Sequence, residues 1–176
     1  MRRKCYIMLF MLCLVTVMTL LPSLVQADDD LEYTTEEIKQ ISAETFIEKM
    51  AAQEPGYQKF AAMRALTIKA KESDPVIRQK ILNMVVAVMN DNTRTEFQRF
   101  QCCYVISGCG DEQWVKYLID ILMKDTSATM RSVAAEALAQ FPNCASARDA
   151  LVQAASQEKN QRVIDVLNKV LGRTEQ

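Results

Sequence analysis

The 176-residue chain contains no histidine. That removes the commonest general base, the Ser-His and Cys-His nucleophile pairs and any imidazole metal site. Glycine and proline occur only four times each, and aromatic residues make up 7%. No glycine-rich phosphate loop is present, because Gly108 and Gly110 lack a following Lys-Ser or Lys-Thr. There is no Cys-x-x-Cys, so neither a zinc ribbon nor a thioredoxin-type motif is indicated. Basic residues form no run beyond residue 4, which argues against a protein that tracks nucleic-acid phosphates. No stretch alternates apolar and polar residues for long, so strand signals are missing. What remains abundant is Ala, Leu, Met, Gln, Glu and Lys, all helix formers.

The amino end has three parts. Arg2-Arg3-Lys4 is positive, residues 5–21 are uncharged and apolar, and Pro22 precedes Val25-Gln26-Ala27 and the acidic Asp28-Asp29-Asp30. This is the pattern of a secretory signal peptide cleaved between Ala27 and Asp28. An uncleaved anchor is the alternative, although 17 residues is short for a spanning helix, which needs about 20. Cleavage removes three of the 21 basic residues and no acid, leaving 18 against 22, a net charge of −4. The expected location is periplasmic or secreted, with membrane contact only in transit.

The rest reads as helices divided by short breaks. Thr34 and Glu37 form a capping box before Ile38, Ile41, Phe46, Ile47 and Met50. One helix, or two short ones, is predicted over 35–53, stopped by Pro55-Gly56. Further helices are predicted over 57–71, 75–90 (with Pro75 at the first position), 95–107, 112–124, 128–140, 144–157 and 161–172. The 76–89 segment is apolar nearly all round and should be central, covered by 35–53 on one side and by the next repeat on the other. This gives three parts: 1–27 as signal peptide, 28–56 as acidic segment and capping helix, and 57–176 as the helical domain.

The helices repeat. RFQCCYVISG from Arg99, RSVAAEALAQ from Arg131 and RVIDVLNKVL from Arg162 align on their arginines, and KFAAMRALTI from Lys59 is a looser copy. In each, a basic residue precedes an apolar helical face. TMRSVAAEALAQF, residues 129–141, resembles the first helix of a HEAT repeat of the short bacterial type, through Arg131, Ala134, Ala135, Glu136, Ala137 and Leu138. Asp74-Pro75-Val76-Ile77-Arg78 resembles the acidic-Pro-Val-x-Arg lead of other HEAT helices. The Cys102-Cys103-Tyr104 copy departs from the Ala-rich pattern. The resemblance implies an all-α fold, an α-solenoid or superhelix of stacked antiparallel helix pairs with about three repeats and an N-terminal capping helix. It also implies a binding scaffold, although some members of the short type are bilin lyases or lyase-like.

Four cysteines fall in the mature part: Cys102, Cys103, Cys109 and Cys144. An exported protein meets oxidising conditions. Cys109 and Cys144 sit near inter-helix turns of successive repeats, and they are the expected disulfide. Arg78, Trp114, Tyr117 and Ile121 are the candidate interface, since aromatic and arginine clusters make binding hot spots. Ser156-Gln157-Glu158-Lys159 has Ser-x-x-Lys spacing but reads as a solvated turn. Asn90-Asp91-Asn92 lacks the glycine and distal glutamate of a calcium loop. No catalytic, cofactor or metal residue is assigned. The function that fits best is a non-catalytic protein-protein interaction module with a protein partner and no nucleic acid. The alternatives are a lyase-like, cofactor-handling protein using Cys102, Cys103 or an acidic residue, and a subunit of an envelope assembly.

Overall fold

The computed structural model describes residues 33–51 and 60–172, and every described element is helical. The signal cleavage at Ala27-Asp28 and the stop at Pro55-Gly56 lie outside the described residues. The helices are α1 (Thr35–Gln40), α2 (Ala43–Ala51), α3 (Ala61–Glu72), α4 (Pro75–Asn90), α5 (Glu96–Cys109), α6 (Val115–Lys124, entered through a 3-10 turn at Glu112–Trp114), α7 (Ala128–Leu138), α8 (Ala145–Gln157) and α9 (Gln161–Val170).

Local chemistry sets their ends. A helix begins with backbone N–H groups that lack partners, and short polar side chains supply them. Thr34 Oγ1 accepts from the Glu37 amide while the Glu37 carboxylate accepts from the Thr34 amide at 2.7 Å, which completes the capping box at α1. Asp74 accepts from the amides of Val76 and Ile77 at α4, ahead of Pro75. Thr95, Ser127 and Asn160 cap α5, α7 and α9 in the same way. Gly110 ends α5 at φ 74°, a left-handed conformation that favours glycine.

Packing follows chain order. α3, α5, α7 and α9 each touch the next in that series. α4 packs on α5, α6 on α7 and α8 on α9, and α6 also meets α8. α1 lies on α3, and α2 lies on α3 and α5. The apolar core therefore runs without interruption from Ile38 and Phe46 through Leu66, Val85 and Ile106 to Leu118, Leu138 and Val163.

The central helix is α5, which corrects the expectation for α4. α2 makes its main contacts with α3 and α5 and does not cover α4. The first turn of α4 leaves Val76 65% and Ile77 47% exposed. α5 instead buries Gln98, Arg99, Gln101, Cys102, Cys103, Val105, Ile106 and Cys109, because α2, α3, α4 and α7 all meet it. Its approach to α3 is close: a Cβ on Gly108 would stand 2.9 Å from Thr67 Cγ2.

Polar side chains of α3 and α5 donate to backbone carbonyls of the two N-terminal helices. Lys69 Nζ donates to Ile38 O at 2.9 Å and Lys39 O at 3.0 Å, at the end of α1. Gln98 Nε2 and Gln101 Nε2 donate to Ile47 O and Met50 O at 2.8 and 3.0 Å, at the end of α2. A buried carbonyl left without a donor costs on the order of 1–3 kcal/mol. These three side chains therefore fix the two short N-terminal helices, which contribute little helix stability on their own at this length.

Candidate functional site

Two arginines organise one edge of the molecule. Arg99 and Arg131 are each the fourth residue of their helix, counted from the caps Thr95 and Ser127. Arg99 Nε donates to Met89 O near the end of α4 at 2.9 Å, and its Nη2 reaches Asp125, the residue that ends α6. Arg131 Nη1 donates to Asp125 O at 2.9 Å and Thr126 O at 3.2 Å, just past α6. Its Nε and Nη2 grip Glu158, the residue that ends α8, at 2.7 and 3.0 Å. Each guanidinium thus joins the carbonyl end of one helix to the acid that closes the next helix but one. The planar fork of arginine makes this bidentate grip in a way lysine does not.

The acids also hold their own turns. Asp125 Oδ1 accepts from the Ser127 amide, and Glu158 Oε1 accepts from the amides of Lys159 and Asn160, all at 2.9 Å. Arg131 and then these amides hold the Glu158 carboxyl down at about 2, well below the ordinary glutamate value. Glu158 in return raises the Arg131 guanidinium.

The clamp does not extend to the third aligned arginine. Arg162 is the second residue after its cap Asn160, two positions out of register with Arg99 and Arg131, and it is exposed. Ile164 stands at the equivalent position. At the other end Asp91, which closes α4, is held by Thr93 and by Arg94 at 3.5 Å from its own turn. The alignment of Arg162 with the other two therefore holds in sequence and fails in helix register.

Two concave troughs open along the clamped edge. One, of about 340 Å³, runs between Asn90, Asn92, Arg99, Asp120, Lys124, Asp125 and Thr126. The other, of about 430 Å³, runs between Lys124, Asp125, Arg131, Gln157, Glu158 and Lys159. They share Lys124 and Asp125, so they follow one another along the ends of α4, α6 and α8. Their walls are mostly polar and charged.

The quartet expected as an interface is distributed differently. Trp114 is only 2% exposed and Ile121 is buried, so neither is presented to a partner. Trp114 falls on the helical face shared by Leu118 and Ile121, four and seven residues on, and that face is buried. The indole stacks on the half-buried Tyr117 with ring centroids 5.8 Å apart. Arg78 is occupied internally: its Nη2 donates to Cys109 O at 2.8 Å and pairs with Asp111 at 2.9 Å, which ties α4 to the end of α5. Sequence reading missed a row of half-buried aromatics on α5. Phe97, Phe100 and Tyr104 meet edge to face at 5.0 and 6.2 Å, and Phe60 extends the row. Their spacing of three and four was the available signal. Tyr104 donates to Glu136 Oε2 on α7 at 2.7 Å. Burial, then that hydrogen bond, pushes its phenol up.

All four described cysteines are free thiols, and all four are buried. The expected Cys109–Cys144 bond is not formed. Cys109 faces Arg78, Asp111 and Lys71, whereas Cys144 Sγ lies 3.3 Å from Ser146 Oγ at the start of α8. Burial pushes the Cys102 thiol up to about 12, and Cys103 is raised further by burial and by its neighbour Cys102. A thiol so raised is almost wholly protonated at neutral pH and a poor nucleophile. Ser156 Oγ donates to Gln153 O on an exposed turn and does not meet a lysine base. Among the described residues, no three acidic or thiol side chains converge to hold a metal ion, and no helix is long and apolar enough to cross a membrane.

No protein-family model, no curated protein and no solved structure matches this chain.

Proposed function

We propose that residues 57–176 form an α-solenoid of HEAT-like helix pairs, exported to the periplasm or beyond, which acts without turnover as a protein-protein interaction module. The observation that carries this reading is the repeated arginine clamp. The same side chain, at the same position of helices 32 residues apart, joins the same two kinds of helix end. Such a device belongs to a stack in which each unit shields its apolar face on its neighbour in sequence. It also leaves an extended polar edge with two consecutive troughs, the kind of surface a partner chain can follow.

The lyase-like alternative needs an accessible nucleophile. Cys102 and Cys103 are buried, with thiols pushed far above neutrality, which weighs against it.

The test is photo-crosslinking in the producing cells, with a photoreactive residue placed at Lys124 on the trough edge or at Lys80 on exposed α4. A defined partner captured from Lys124, together with a mature mass that begins at Asp28, is the expected result. The reading fails if the protein is retained in the cytoplasm, or if it turns over a small molecule and captures no protein from either position.

A further inference from the structure

A second concavity lies away from the clamped edge, at the C-terminal end of the described chain. It has a volume of about 390 Å³; its floor is made by the nearly buried Leu138, Phe141 and Leu151, and its open wall by the more exposed Val152 and Leu171. Its lining side chains are mostly apolar, whereas those of the two troughs are mostly polar or charged. Apart from Arg148, every side chain in it is apolar, counting the remaining members Ala139, Pro142 and Val170. Val152 is one of three large apolar side chains among the described residues that stand well exposed, at 43%. Arg148 is exposed at the rim and makes no ion pair or side-chain hydrogen bond with the described residues, a state it shares with Arg64 and Arg162, whereas Arg78, Arg94, Arg99 and Arg131 are paired. Mostly apolar side chains with Arg148 as the one cation among the described lining residues resemble a hot-spot pocket: a large side chain fills the centre and a charge fixes the direction of approach.

We infer that this groove is a docking site for a short segment of a partner protein that carries a large aliphatic or aromatic residue beside a carboxylate. The apolar side chain enters between Phe141, Val152 and Leu171, and the carboxylate pairs with Arg148. The charge selects the partner: an acidic neighbour gains a partly desolvated bidentate contact with Arg148, while a basic one meets like charge. The inference deepens the interaction-module reading by naming the partner's chemistry, and it rests on that reading only for the fact that a protein is bound.

The experiment uses the mature chain as bait for a phage library of random 12-residue peptides, run in parallel on wild type, Val152→Asp and Arg148→Glu. Both side chains are exposed, and each variant is first required to melt within a few degrees of wild type. The expected wild-type consensus is a large apolar residue with Asp or Glu close by. Peptides of that consensus lose at least tenfold in affinity for Val152→Asp, and the selection on Arg148→Glu replaces the acid with Lys or Arg. Enriched peptides that bind all three proteins equally overturn the groove while leaving the module reading standing. Failure to enrich any peptide also overturns the groove, and the module reading is then decided separately by the crosslinking from Lys124.

Discussion

Removing the Arg131 guanidinium tests the clamp and its energetics together. In Arg131→Met the aliphatic stem is kept and the charge is lost. Both partners are mostly shielded, with side chains 17% and 11% exposed, so solvent screens the pair less than it would a surface bridge. The folded Glu158 carboxyl sits at about 2 against an ordinary 4.5, a difference of about 2.5 units, or roughly 3 kcal/mol at 1.36 kcal/mol per unit. The Lys159 and Asn160 amides supply part of this and survive the substitution. Against that, the carbonyls of Asp125 and Thr126 lose their donor. The expected loss in urea melts at pH 7 is therefore about 2–3 kcal/mol. The pH dependence carries a sign. The folded carboxyl binds its proton less tightly than the unfolded one, so protons favour unfolding. The contribution is complete above about pH 4.5 and disappears as pH falls through about 2. Wild type should lose stability across that window, and Arg131→Met should lose less of it. A variant as stable as wild type at pH 7, with an unchanged acid limb, would refute the reasoning.

Arg99→Met breaks a more buried pair, with Arg99 and Asp125 side chains 8% and 5% exposed. It should cost about 3–5 kcal/mol, read by thermal melting, and the double variant Arg99→Met, Asp125→Leu should recover part of the loss. Trp114→Ala should destabilise by about 3–5 kcal/mol, and Trp114 fluorescence in the native protein should resist quenching by iodide. Gly108→Ala places a methyl against Thr67 Cγ2. Adding Thr67→Ser should restore about 1 kcal/mol relative to Gly108→Ala alone, whereas simple additivity in a double-mutant cycle would contradict the close α3–α5 approach. Under non-reducing conditions Cys102, Cys103, Cys109 and Cys144 should all be free thiols by peptide mass mapping, and they should alkylate at pH 8 only after denaturant is added.

Much of the fold was legible because it rests on local chemistry. The Thr34–Glu37 box and the Asp74-Pro75 start appear where the residues place them. The predicted 75–90 helix coincides with α4, and the others differ by a few residues at their ends. The errors arise where the local rule gave way. Trp114 and Ile121 were expected at a surface, whereas the buried face of α6 is wide enough to take in both beside Val115, Leu118 and Leu122. Arg162 was aligned by sequence, but its helix starts closer to it than those of Arg99 and Arg131 do. α4 was judged central from its composition, whereas centrality depends on which neighbours pack on a helix, and those meet on α5. The clamp acids Asp125 and Glu158 lie 26 and 27 residues beyond their arginines, a separation at which no local pattern connects them. The apolar groove joins the end of α7 to the flanks of α8 and α9 and has no signature in any one segment.

The stack itself is tested most directly by methyl and aromatic NOE spectroscopy of the protein. The account predicts a chain-ordered network: cross-peaks between α3 and α5, between α5 and α7, and between α7 and α9, with none joining α3 to α9. Cross-peaks between the side chains of α3 and α9 would mean that the helices close into a bundle, and the account of successive pairs leaning on their sequence neighbours would be wrong.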